Sequence, residues 1–303
     1  MKRSLNRIFR VALAEWRMAI VSRRALVTLC LFAVTGAVMM YFTISAFASI
    51  EAQVVETLGL PAAETTGAVT LTLWKAPVFA KGIETMIGNS LVYQDIQGRH
   101  PLVLAYAFFL FEVVSLLTLM VSSSSVANDV RSGAVRYYLT RVTRTEWSLG
   151  KFIGEALLIA SAMLLGTLIA GGIIAYRLSV NDALALFPEL LDWSVRAWIY
   201  AFAWLGVFMG ISHLTTSGGK AMALSFLALF GLSVLPTFVS GLLVGFFDLP
   251  SYLTVFEYFA PRALATNLWR HSPSAVFLVV VQLVSLAFFY LSLGACYFKR
   301  RDI

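Results

Sequence analysis

Five apolar runs are each long enough to cross the ~30 Å hydrocarbon core of a bilayer as a helix. They are Ala25 to Ile50, Leu102 to Val121, Ala156 to Tyr176, Ala221 to Phe247 and Ser274 to Phe298. A sixth, Val195 to Ile211, is shorter and carries Arg196 at its edge; it also counts as a span. The pattern predicts an all-α, polytopic membrane protein of six transmembrane helices forming a single domain, residues 1–303.

The connections differ in kind. Before the first run, Val11 to Arg24 places Leu13, Trp16, Ile20 and Val21 near one helical face with Arg17, Arg23 and Arg24 elsewhere. That pattern reads as an interfacial elbow helix over residues 1–24. Residues 51–100 form a long connection on the opposite side. Within it Gly67 to Ile83 is apolar but broken by Lys75, Pro77 and Lys81, which suits an interfacial or re-entrant element better than a span. Residues 122–153 form the longest connection on the elbow's side. The segment Asp248 to Pro273 holds Tyr252, Phe256, Tyr258, Phe259 and Trp269, an aromatic belt at the membrane surface or a lid over a path.

Charge orients these elements. With the N-terminus inside, the inner segments carry 16 of the 23 Lys and Arg residues and the outer segments seven: Lys75, Lys81, Arg99, Arg177, Arg196, Arg262 and Arg270. Positive charge accumulates on the cytoplasmic side, so both termini are expected in the cytoplasm of a cell inner-membrane protein. The net charge of +7 could suggest nucleic acid, but ten acidic residues lie in outer segments against five inside, so the basic surface faces the cytoplasmic lipid headgroups instead. Arg177 and Arg196, at outer span ends, are expected to snorkel to the interface.

Composition removes other classes. At 59% hydrophobic and 13% charged, the chain exceeds what one soluble core can bury. Cys30 and Cys296 lie in apolar runs without CxxC or Cys/His spacing, so neither a disulfide framework nor a metal site is indicated. The N-terminal apolar stretch is broken by Glu15 and Arg17, unlike a cleaved signal peptide. No HExxH occurs, His100, His213 and His271 fall near span ends or in loops, and Ser240 has no identifiable base; a hydrolase is disfavoured. A P-loop requires GxxxxGK[ST], whereas Gly150-Lys151 has Thr145 before and Phe152 after, and Gly219-Lys220 has Leu214 and Ala221. Any nucleotide must be bound by another polypeptide. No internal repeat of the kind many secondary carriers show is visible.

Two features carry function. Glu112 stands near the middle of the second run, where a charge is costly unless paired, protonated or facing a wet cavity. It is the candidate path-lining residue, against a neutral, hydrogen-bonded packing role. The second feature is the connection Ser122 to Lys151, which mixes five basic residues with Val135, Tyr137, Tyr138, Leu139 and Val142 around Gly133. It could dock a soluble partner or merely fix topology. Gly206/Gly210 and Gly241/Gly245 have GxxxG spacing, which allows helices to approach closely either within one bundle or between copies.

The connection reads Asp129-Val-Arg-Ser-Gly133-Ala-Val-Arg-Tyr-Tyr-Leu139-Thr140-Arg141-Val142-Thr143-Arg144, then Leu149-Gly150-Lys151-Phe152. This resembles the cytoplasmic motif after the second span in permease subunits of ABC-2-type exporters, an acidic residue, Gly four positions on, a Leu-containing stretch and Ser/Thr-Arg, continuing to Leu-Gly-Lys-Phe. The basic ending Tyr297 to Ile303 and Phe259-Ala260-Pro261 before the last span resemble further landmarks of the family. The family often has two acidic residues where this chain has Asn128-Asp129, and Pro where Val142 stands. The resemblance implies a type V exporter-like fold with a coupling helix that contacts a separate cytoplasmic ATPase. On this chain the contact would fall on Asp129, Arg131, Gly133, Arg136, Tyr137, Leu139, Thr140, Arg141 and Arg144. It further implies a second permease copy or a related permease as partner, no cofactor on this chain, and ATP and Mg held by the ATPase. An ion-coupled carrier, transporting without an ATPase, or a non-transporting membrane scaffold are the alternatives.

Overall fold

The computed structural model describes residues 2–58, 92, 95–96, 99–178, 180–238, 255 and 257–300, and all its regular structure is helical. Most of the 51–100 connection lies outside the described residues, as do Gly241, Gly245 and the end of the fourth long apolar run.

The N-terminal helix α1 (Lys2–Val21) stops at Ser22, and α2 (Arg23–Leu58) follows. The next helix, α3 (Pro101–Ser122), begins with Pro at a position where a missing N–H costs nothing, and His100 Nδ1 accepts from the Leu102 N–H at 3.3 Å. Two short helices follow, α4 (Ser125–Ser132) and α5 (Ala134–Leu139). Then come α6 (Arg144–Arg177), α7 (Val180–Leu214), α8 (Gly218–Phe238), the one-turn α9 (Pro261–Ala265) with a 3-10 turn (Thr266–Trp269), and α10 (Pro273–Lys299).

By length and composition, five helices can cross a membrane: α2, α3, α6, α7 and α10; α8 contains a shorter apolar stretch, Gly218–Val234. At 1.5 Å per residue α6 and α7 are each roughly 50 Å long and project well beyond the hydrocarbon. The apolar run beginning at Val195 is thus the second half of a much longer helix, whose first half is interrupted in hydropathy by Pro188, Glu189 and Asp192.

The core forms around α7, which packs against α3, α6 and α10. Contact with α10 is backbone to backbone: a Cβ on Gly206 would strike the carbonyl of Ala287, and one on Gly294 the carbonyl of Gly210. The Gly206/Gly210 pair therefore serves packing inside the bundle. A second close approach joins α1 to α6, where a Cβ on Gly150 would stand 2.6 Å from Val11 Cβ and one on Gly154 2.8 Å from Glu15 Cβ. Consequently α1 buries Val11 and Ala12 against α6, while Leu5, Phe9 and Ile20 stay exposed on another side. Between α3, α6 and α7 the hydroxyls of Tyr106, Thr167 and Ser194 satisfy one another, Thr167 and Ser194 being 2.6 Å apart. His213 is similarly occupied, by Ser148 Oγ at 2.8 Å and the Met209 carbonyl at 2.6 Å.

Candidate functional site

The residues of the motif are gathered at the end of the bundle where α1 lies. Helix α4 ends at Gly133, whose φ of +76° is the left-handed conformation a glycine adopts without strain, and the chain reverses into α5. After the turn, Thr143 and Glu146 form a reciprocal capping box: the Glu146 N–H donates to Thr143 Oγ1 at 3.3 Å, and the Thr143 N–H donates to Glu146 Oε2 at 3.0 Å. The connection is thus a helical hairpin seated on the first turns of α6, with Val135 fully buried as its anchor.

One cation holds the base of this hairpin. Lys151 Nζ, on a side chain only 6% exposed, donates to Asp129 Oδ2 on α4 at 2.6 Å and to Glu15 Oε2 on α1 at 3.2 Å. Glu155, one turn further along α6, lines the same cavity of about 400 Å³ with Ser125, Asn128 and Ser132. Nearby, burial above all, with the Glu15 carboxylate adding to it, pushes the Tyr138 phenol above its ordinary pKa. Asp129 is therefore directed into the protein.

The remaining motif residues divide between outward and inward. Arg131, Arg136, Thr140 and Arg141 are exposed, and Tyr137 is 82% exposed, an unusual position for an aromatic ring. Tyr137, Thr140 and Arg141 border a cavity of about 670 Å³ shared with Arg7, Arg10 and Ala14 of α1, so the basic surface spans both elements. Leu139 packs against the core. Arg144 turns away: its Nη1 donates to the carbonyls of Phe298 at 2.8 Å and Lys299 at 3.1 Å, and its guanidinium lies over the Phe298 ring. It closes the C-terminal end of α10, where orphan carbonyls and the helix dipole favour a cation.

Glu112 has a partner that sequence reasoning did not supply. Arg262, at the start of α9, makes a bidentate pair with it, Nη1 to Oε2 at 3.0 Å and Nη2 to Oε1 at 2.8 Å. This bidentate geometry is among the strongest for a charge pair. Arg262 reaches that depth because its segment folds into the bundle. The Tyr290 hydroxyl, well along α10, donates to the Phe259 carbonyl at 2.9 Å. Trp269 lies among Phe108, Phe111 and Trp193, at 4.4, 5.1 and 4.7 Å between ring centroids. Of the described aromatic residues of this segment, Trp269 is thus packed inward, whereas Tyr258 and Phe259 are exposed as a surface belt would have them.

Arg196 explains how that element is tolerated. Its Nη1 donates to the carbonyls of Leu268 at 2.7 Å and Arg270 at 2.9 Å, while Asp192 balances its charge at 3.0 Å. Irregular backbone at membrane depth needs such donors, so Arg196 is spent inside the protein and not at the interface. Arg177 behaves more as expected, exposed beside Ser45 and Tyr41. The end opposite α1 closes with Arg99, which contacts His271 Nδ1 at 2.9 Å and Glu189 at 3.4 Å, and with Asp95, which accepts from the His271 N–H at 2.9 Å. Burial lowers the pKa of His100 there, with Glu189 opposing.

The Gly150/Gly154 face and the Glu15–Lys151–Asp129 cluster were legible only in part: the GxxxG spacing stands in the sequence beside the failed P-loop match, but nothing there names α1 as the partner. Among the described residues no cluster of His, Cys, Asp or Glu is arranged to hold a metal ion.

A comparison with curated proteins yields no match. A family model described as ABC-2 family transporter protein matches residues 9–303, nearly the whole chain, including α1 from Phe9 onward, the α4–α5 hairpin and every candidate span. The chain is a multi-pass membrane component of a transporter, in a class of permeases that work with an ABC ATPase, and it belongs to the ABC-2 transporter family.

Proposed function

We propose that this chain is the permease subunit of an ATP-driven exporter in the cell inner membrane, with both termini cytoplasmic, and that a separate cytoplasmic ATPase docks on the α4–α5 hairpin. The observation that carries this reading is the contrast within the hairpin. Arg131, Arg136, Tyr137, Thr140 and Arg141 stand in solvent, on a base fixed by a buried ionic cluster. Exposed arginine and tyrosine are the residues that anchor protein interfaces. A rigid base lets a push on the hairpin move α6 and α1 with it.

In this reading ATP and Mg are held by the ATPase, and nucleotide binding biases a two-state change in the membrane subunits. Two permease copies, or one with a related permease, enclose the path. Glu112 and Arg262 stand on the face turned to it, since charge at that depth is stable only against protein or water.

The test is affinity purification of the tagged chain in mild detergent from its native host, followed by mass spectrometry and an ATPase assay. Export coupling predicts a co-purifying ATPase that is lost on Arg141→Glu and Tyr137→Ala, two exposed changes that leave the fold intact. A chain that transports while purifying alone would be a carrier, and one that never transports would be a scaffold.

A further inference from the structure

Helix α3 is enclosed on all sides except one narrow stripe. Phe108, Glu112, Leu116 and Met120, spaced by four residues, are its exposed positions, and its other residues are buried or partly so. Glu112 lies eleven residues beyond Pro101, about 16 Å along the helix and close to half the ~30 Å hydrocarbon thickness. Yet the Glu112 side chain is 62% exposed and that of Arg262 49%.

Lipid chains cannot cover such a pair. Its two hydrogen bonds satisfy only part of the donors on a guanidinium and the lone pairs on a carboxylate, and hydrocarbon offers nothing to the rest. A lone charge on this face would repel its own symmetry mate. A neutral pair with its positive and negative ends side by side is complementary to itself. In an isologous contact, residue i of one copy meets residue j of the other and the reverse. Two such pairs brought together about a two-fold axis form a ring of alternating charge in which each guanidinium turns remaining donors to the free lone pairs of the other copy's carboxylate.

We propose that Glu112 and Arg262 form the contact between two copies of this chain, a four-membered ionic ring across the two-fold axis that closes the path at mid-membrane. Phe108, Leu116 and Met120 form the apolar collar around it. The inference rests on the reading of the chain as one of two permease copies and adds the surface by which they meet. It also gives Glu112 a role beyond lining the path, because opening then requires exchanging the contacts between copies for those within each copy.

The test uses the full-length chain in membranes, carrying two different affinity tags. Glu112→Arg and Arg262→Glu each place like charges in every copy, so either variant expressed alone should lose self-association in a two-tag pull-down. Expressed together, the two variants put opposite charges across the axis while like charges remain within each copy, and association should return. A contact confined to one copy predicts no rescue and overturns the proposal.

Because either reversal could impair folding, a second measurement leaves the pair untouched. With the exposed Cys30 and Cys296 replaced by serine, Leu116→Cys should form an intermolecular disulfide under mild oxidation, and Leu168→Cys, exposed on α6, should not. Cross-linking at Leu168→Cys but not at Leu116→Cys would place the contact elsewhere and overturn the proposal. Co-purification of the ATPase, read in the same eluates, decides the exporter reading separately.

Discussion

Lys151 on α6 and Asp129 on α4 lie 2.6 Å apart, and the same ammonium reaches Glu15 on α1, so one buried cation joins the elbow helix, the hairpin and a long transmembrane helix. Removing one member of a buried ion cluster leaves uncompensated charge, which typically costs about 3–5 kcal/mol. Lys151→Met should therefore lower the unfolding temperature in detergent sharply and loosen α1, seen as new protease cleavage between residues 2 and 22. An unchanged melting temperature would show that the cluster is solvated.

Arg144 and Arg141 stand three residues apart and should separate experimentally. Arg144→Gln removes the donor to the α10 carbonyls and should cost about 1 kcal/mol, with faster amide exchange in the last turn of α10. Arg141→Glu should leave that exchange and the melting temperature unchanged and abolish ATPase binding. If both variants lost only the ATPase, Arg144 would belong to the docking surface.

Gly133 tests conformation without crowding. A Cβ there meets no atom within 4 Å, so Gly133→Ala carries only the penalty of the left-handed backbone, about 1 kcal/mol. Gly133→Asn should be better tolerated, since Asn adopts that conformation more readily. Equal melting temperatures for Ala, Asn and wild type would mean that the hairpin reorganises.

At the α7–α10 crossing the space itself is the constraint. Gly206→Val would push a side chain into the Ala287 carbonyl, and overpacking of this kind costs about 1–3 kcal/mol or more. Gly172→Ala, where nothing lies within 4 Å, should be neutral or slightly stabilising. The check is the yield of monodisperse protein after solubilisation, with loss for the first and none for the second.

The fold was largely legible because hydropathy marks spans directly, and Asp129 to Lys151 marked the hairpin. The relationships that build the site were less so. Hydropathy starts the fourth span only near Val195 because Asp192 and Arg196 are charged, but their charges cancel and Arg196 is consumed by the carbonyls of Leu268 and Arg270. The same long-range bonding hid the partner of Glu112: Arg262 is 150 positions away, in a segment whose aromatic residues read equally well as a surface belt. Gly150 and Gly154 stand at visible spacing, but which helix they admit is a property of packing alone.

Helix α6 runs without interruption from its cap at Thr143 to Arg177. Over its ~51 Å, a tilt of about 5° at the hairpin end displaces the other end by about 4 Å, more than the width of a water molecule. In the proposed coupling the helix is a lever arm that pivots at its hairpin end, and a small rotation beneath the bundle becomes a gap at its far side.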